Sequence, residues 1–470
     1  MDSFPPSSLR RLVAQSRCLI PAVLLAGCAS LDPQGNLDAA ASLATSRIDT
    51  SAAAAWQQPV DTPSSAWNGR DPLHADVALA VAIQNNPSLR IALSRIAERR
   101  ADFVQAGLLP NPTIGVGIGV AIDGLSGAPA LVQGLQALTW LWTRPDRIAT
   151  ADADLQAAVL TAAEHTVTLA ARVGVAHAAA LAEAQRRSLD AAYLDVSQTT
   201  LRLIQARHGV GEAALLDVDR AEVDVQSART ALIAATRHTE QAKLALLETM
   251  GWPGHTIDWQ AAEPTAATPP RAGSDLALLE LAASQHLELA AQAALIRRHV
   301  AARSLADTKR LPEVKFTFGW QRSFNERKAV MPGAQISIPI LDSGAPAIAK
   351  AQAQLEQARL TWIVTANRIE YDVRNTASKW REAAAQTLVT ADRLLPAAAA
   401  ALHRSQSAYS EGVAGLTVLL LAQEQHIAAQ RILIDQQLAE ATALIELRRA
   451  VGGTFESLPA PSLASRENPS

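Results

Sequence analysis

Residues 313–322 read EVKFTFGWQR, and their side chains alternate: Val314, Phe316, Phe318 and Trp320 fall on one face of an extended chain, Lys315, Thr317, Gly319 and Gln321 on the other. Strict alternation is a strand with two different environments. The partner stretch continues the pattern, with Ile336, Ile338 and Ile340 set against Gln335, Ser337 and Pro339. An earlier segment, 113–122, reads TIGVGIGVAI and sets Ile114, Val116, Ile118, Val120 and Ile122 against Thr113, glycines and Ala121. One face is greasy and the other small or polar, which is how a transmembrane β-barrel strand meets lipid outside and water inside; roughly 9–11 residues suffice for such a strand. Two amphipathic hairpins covering a soluble core would alternate in the same way, but no other sheet or globular core is visible for them to cover.

Working outward, the chain is written twice at a spacing of about 200 residues. Ala149–Ala158 (ATADADLQAA) realigns on Ala349–Ala358 (AKAQAQLEQA), Pro112 on Pro312 and Leu89 on Leu289, while Gly211 and Ala221 land on Gly412 and Ala422 with one residue of slippage. The less regular strand near Val132–Trp142 is placed by this equivalence. Each copy then holds a helix, a hairpin (about 113–142 and about 313–341) and a long helical hairpin. Two copies of such a plan describe an element built for length, a conduit or spacer.

The length is carried by helix. From Asp146 to Trp252 there is no proline, and Gly174 is the only glycine before Gly209. A helix from there to Ala206 would span roughly 90 Å at about 1.5 Å per residue. A turn at Arg207–Glu212 leads to a returning helix through Leu215–Leu247. The second copy runs from Pro346 to about Tyr409, turns at Glu411–Gly412 and returns from Leu416 to Ala450, with Pro396 expected to interrupt the outward helix.

Composition agrees. Aromatics are 4% of 470 residues, so the apolar half consists of small side chains suited to closely spaced helices, and the chain reads as mainly α with a small β part. Net charge is −3 with both signs interspersed and no basic patch, which excludes nucleic acid as a natural partner. Residues 1–27 carry Arg10, Arg11 and Arg17, then an apolar LIPAVLL, and end before Cys28 in the tetrad Leu25-Ala26-Gly27-Cys28. This is a signal peptide whose closing tetrad looks like the bacterial lipobox, so Cys28 is expected to carry covalent lipid. Ser30, not Asp, follows two positions on, and the sorting expectation is the outer membrane. More than one acyl chain on a residue anchors stably, a single one only marginally. Cys18 lies in the discarded part, so no disulfide forms within the mature chain. Residues 28–71 read as an extended, lipidated tether, 72–252 as the first repeat, 253–274 as a linker, 275–452 as the second repeat and 453–470 as a disordered tail. No other stretch reaches the roughly 20 apolar residues of a spanning helix.

Tether, hairpin, long helix and return helix in duplicate resemble the TolC family of outer membrane efflux proteins, in its lipoprotein branch. The matching pieces are Leu109-Pro110-Asn111-Pro112 before the first strand, Pro339-Ile340-Leu341-Asp342-Ser343-Gly344 after the second hairpin, and the tips Gly211–Val218 and Gly412–Leu419. The resemblance implies a homotrimer whose four strands per chain make a 12-stranded transmembrane barrel continued by a long α-helical periplasmic barrel. It also implies tips that meet a periplasmic adaptor and an inner-membrane transporter, the protein itself catalysing nothing.

The resemblance further carries an acidic constriction to the tips. Asp217 matches an acidic tip position and Asp219 adds a second carboxylate, although Asp217 also suits the positive start of the returning helix. The second tip departs from the pattern with Val418 and Leu421, so an acidic and an apolar gate both stay open. Gly211, Glu212, Glu411 and Gly412 are the adaptor-contacting candidates, and Trp140, Trp142, Phe316 and Trp320 the aromatic girdle at the bilayer interface. Histidines show no metal-ligand spacing, Met is scarce, and no nucleophile elbow or phosphate loop is present; neither cofactor nor metal is expected. The function read from this is a passive exit duct for small toxic compounds in a tripartite pump. A type I protein secretion channel and a lipid-tethered periplasmic coiled-coil adaptor are the alternatives.

Overall fold

The computed structural model describes residues 30–48, 67–120, 127–263, 274–324 and 327–454. In chain order these are α1 (Gln34–Ile48), α2 (Ala75–Asn85), α3 (Pro87–Gly107), β1 (Thr113–Ile118), β2 (Ala130–Ala137), α4 (Trp140–Gly209) and α5 (Leu215–Thr249). The second half gives α6 (Asp275–Gln285), α7 (Leu287–Asp307), β3 (Glu313–Arg322), β4 (Lys328–Ser337), α8 (Ala345–Val389), a π turn (Thr390–Leu394), α9 (Leu395–Ser410) and α10 (Leu416–Val451). The chain divides into two compact units. One gathers the described residues of Met1–Leu37, Ser94–Val159 and Ala290–Trp362; the other those of Asp38–Leu93, Leu160–Leu289 and Ile363–Ser470.

The first unit contains the sheet. Its four strands are antiparallel in the order β1-β2-β3-β4, so the two hairpins join through β2 and β3. Register places Ile114, Val116 and Ile118 beside Val132 and Gly134, then Trp320, Phe318 and Phe316, then Val330, Pro332 and Ala334. Directly paired residues share a face, so this face is mainly apolar, with Gln136, Arg322 and Lys328 also on it. The reverse carries Gly115, Gly117, Gln133, Thr317, Gly319, Gln321, Gly333 and Gln335, interrupted by Leu131, Leu135 and Met331. The expected strand to Trp142 stops short: β2 ends at Ala137, and Trp140 and Trp142 open α4 instead. In the same unit, α7 is tied to α4 by the Arg298 Nε–Asp154 Oδ2 ion pair at 2.7 Å and by Ser304 Oγ donating to Asp146 Oδ2 at 2.9 Å.

The second unit holds two cores that the duplication relates. Val81, Ala82, Leu169, Val173, Leu246 and Met250 are buried in one, and Leu281, Ala282, Ile369, Val373, Leu447 and Val451 in the other. The helix ahead of the first hairpin is divided at Asn86, because Pro87 cannot donate to the preceding turn. Asn86 replaces the lost bonds: its Oδ1 accepts from Ser88 N at 2.9 Å and its Nδ2 donates to Thr249 O at 2.8 Å. Gly251 ends α5 against this break with φ +73, and Gly452 ends α10 with φ +89 against the equivalent break at Gln285–His286.

Three sequence expectations change. Residues 34–48 of the supposedly extended tether are helical: Asp32 Oδ1 accepts from Gln34 N at 3.0 Å, and Ala40, Ala41 and Ala44 are buried, Ala44 against Ala163, Val167 and Leu287. Small residues hid that helix because Ala gives weak apolar contrast, although an Asp-Pro start is a helix-entry signal. The opening of the linker is packed too, with Trp259 fully buried and Leu73 bridged to Ala261. The long helix α4 has 70 residues because it starts at Trp140, ahead of Pro145. Cys28, the signal peptide and the tail after residue 454 lie outside the described residues.

Candidate functional site

The tips of the two helical hairpins are built alike. After α4, Gly211 adopts φ +83 and donates to His208 O at 3.0 Å, while Glu212 N donates to Arg207 O at 2.8 Å. After α9, Gly412 adopts φ +75 and donates to Tyr409 O at 3.2 Å, while Val413 N donates to Ala408 O at 2.9 Å. Only glycine takes this left-handed turn without strain, which is why the two copies share it. Asp217 N to Ala214 O and Val418 N to Gly415 O repeat the equivalence at 3.0 and 3.1 Å. Glu212 and Glu411 are exposed beside their glycines.

That equivalence sets Asp217 against Val418 and Arg220 against Leu421. In the first tip the two side chains are an ion pair at 3.9 Å, and Arg220 also donates to Thr417 Oγ1 of the second tip at 3.0 Å. In the second tip the same two places hold exposed Val418 and Leu421. Asp219 is exposed. Ile204, Ala221, Leu416 and Leu419 are buried together, so the tips share one small core, and the Arg207 guanidinium lies 4.8 Å from the Tyr409 ring centre. Sequence reading named Asp217 as a candidate but not its partner Arg220, whose three-residue spacing on the same helix was the available signal.

Of the girdle candidates, Phe316 and Trp320 stand on the apolar sheet face at paired positions with Gln136 and Val132. Four residues of strand separate them by about 13 Å, so they occupy two levels. Trp140 and Trp142 are half-buried at the start of α4, with Arg144 5.4 Å from the Trp140 ring. The opposite face of the sheet bears one ion pair, Lys315–Glu313 at 3.8 Å, among glutamines, glycines and threonines broken by Leu131, Leu135 and Met331. It is a wettable surface without fixed net charge.

Among the described residues no group of His, Cys, Asp and Glu could hold a metal ion. A cavity in the second unit is lined by Glu164, His286, Glu288, Arg368, Asp372 and Arg449. His286 occupies the place that Asn86 fills in the first copy, and its Nδ1 is buried without a partner. Burial pushes its pKa down to about 4, with Arg368 and Arg449 adding to the effect against Glu288 and Asp372.

Residues 78–252 match the family model described as outer membrane efflux protein. The pyoverdine export outer membrane protein OpmQ of Pseudomonas aeruginosa is 25% identical, over 96% of this chain and 98% of its own. Among solved structures, the outer-membrane channel OprN superposes with a TM-score of 0.70 at 17% identity, over 81% of this chain and 90% of that one. The outer membrane protein VceC of Vibrio cholerae gives 0.68 at 18% identity, over 81% and 97%. The fold of these channels and of this chain is the same.

Proposed function

We propose that the chain, whose residues 78–252 match the outer membrane efflux protein model, belongs to that family and is the passive exit duct of a tripartite pump, assembled as a homotrimer. The observation that carries the reading is the sheet: mainly apolar on one face, mainly small and polar on the other, with β1 and β4 as edges that pair with nothing among the described residues. In hydrocarbon an open edge leaves N–H and C=O groups unpaired at a cost of several kcal/mol each. Copies of the chain close it. Three copies give a 12-stranded barrel, wide enough to conduct, and the paired long helices α4–α5 and α8–α10 continue the passage into the periplasm. Lipid on Cys28 holds the chain at the outer membrane. The tips meet a periplasmic adaptor and an inner-membrane transporter, which supplies the energy; the duct itself catalyses nothing.

The cargo is a small soluble compound. A relative of similar length is named for pyoverdine export, which supports small-molecule efflux over protein secretion. Detergent-purified protein should sediment as a trimer, and planar bilayers should show stepwise conductance. A monomer that leaves the membrane without detergent and conducts nothing would instead identify a tethered coiled-coil adaptor.

A further inference from the structure

The slippage between the two copies has a location. Leu155 and Leu355, Leu169 and Ile369, Val173 and Val373, and Asp190 and Thr390 are buried in both copies at one constant spacing. From the tips onward the spacing is one residue greater: Ala221 pairs with Ala422, Ala228 with Ala429 and Leu246 with Leu447, all buried, and the positive-φ Gly251 pairs with Gly452. The second copy therefore carries one extra residue between Thr390 and the tip. Within that window lies the π turn Thr390–Leu394, where Leu395 N–H donates to Thr390 O, five residues back. An α-helix closes each bond over four residues, so a π turn is where a helix stores an added one.

The contrast with the first copy is physical. Helix α4 runs without interruption through the equivalent positions, where Tyr193 Oη donates to Asp224 Oδ1 at 2.6 Å and Arg431 Nη2 donates to Asp190 Oδ1 at 2.6 Å. The π turn instead presents Asp392, Arg393 and Leu394 to solvent. Pro396, the second residue of α9, lacks an N–H, so the Asp392 carbonyl cannot receive the usual α-helical bond from four residues on. We propose that Thr390–Leu394 holds a single inserted residue and is the yielding point of the second hairpin, a point the braced first hairpin lacks. The two tips then respond unequally to a docked partner; only this last step rests on the reading of the tips as the docking end.

The test compares two one-residue deletions in the full-length, membrane-assembled protein: Ala391, inside the π turn, and Ala191, its counterpart in the first copy. Removing Ala391 should restore a continuous helix, keep assembly and melting temperature, slow amide exchange at 391–397 by about ten-fold and reduce export several-fold. Removing Ala191 should turn the first tip by about 100° relative to its core and abolish assembly. The proposal is overturned if the Ala391 deletion unfolds as the Ala191 deletion does, or if wild-type amides at 391–397 exchange no faster than those at 191–197. Normal export by a variant with slowed exchange overturns it as well. Absence of conductance in the wild type would strike the duct reading alone, since the exchange comparison does not depend on it.

Discussion

At the residue scale, equivalent positions in the two copies act as built-in controls. His286 stands where Asn86 caps a helix break, and its unpartnered Nδ1 sits in a charged, buried setting. Its folded pKa of about 4 lies below the unfolded value, so the neutral form is the one the fold holds. As pH falls from about 6.5 toward 4 the unfolded chain gains a proton that the folded one refuses, and up to about 3 kcal/mol of stability is lost across that window. The His286→Asn variant should melt higher near pH 5 and lose that part of the pH slope, since an amide can cap as Asn86 does, a gain of about 1 kcal/mol. Gly251→Ala should go the other way: a Cβ there would stand 2.7 Å from Asn85 O and Asn86 Cα at φ +73. Thermal unfolding should show a loss of at least about 1–3 kcal/mol. Asp217→Ala frees Arg220 from its ion pair, and single-channel recording should then show weaker cation block; unchanged block and drug sensitivity would remove Asp217 from the constriction.

At the element scale, the strand 313–322 was legible because period two and chemical contrast coincide there, whereas its register with β4 was not read, and Ile338 and Ile340 of the expected partner lie beyond the end of β4. The partner 130–137 was not, because Gly134, Gln136 and Leu135 blur the alternation, and the boundary was drawn five residues too far into α4. Helix α1 was missed for the same reason in helical form: Ala on both faces leaves no stripe to see. The sheet also gives a paired test. Phe318→Arg places a charge on the apolar face, where midplane burial costs about 2–4 kcal/mol, and should cut trimer recovered from outer membranes. Its neighbour Thr317→Lys faces the wettable side and should assemble normally while shifting ion selectivity toward anions. Equal loss in both variants would mean that the two faces do not meet different solvents.

At the scale of the whole molecule, the duplication was readable because the copies keep glycines and buried positions at matching intervals; the extra residue was readable too, as slippage, but its place in a π turn was not. Contacts between distant segments were also hidden: Arg220 to Thr417 and Arg431 to Asp190 join helices of different copies, and no local pattern announces them. Near the start of the described chain, Arg100 donates to the Ser30 carbonyl from Nε at 3.2 Å and from Nη2 at 3.0 Å. Two residues of backbone extend only about 7 Å. On the proposed lipidation of Cys28 the leash to Ser30 is only two residues long, and lengthening it with a flexible insert should uncouple depth of anchoring from seating of the barrel.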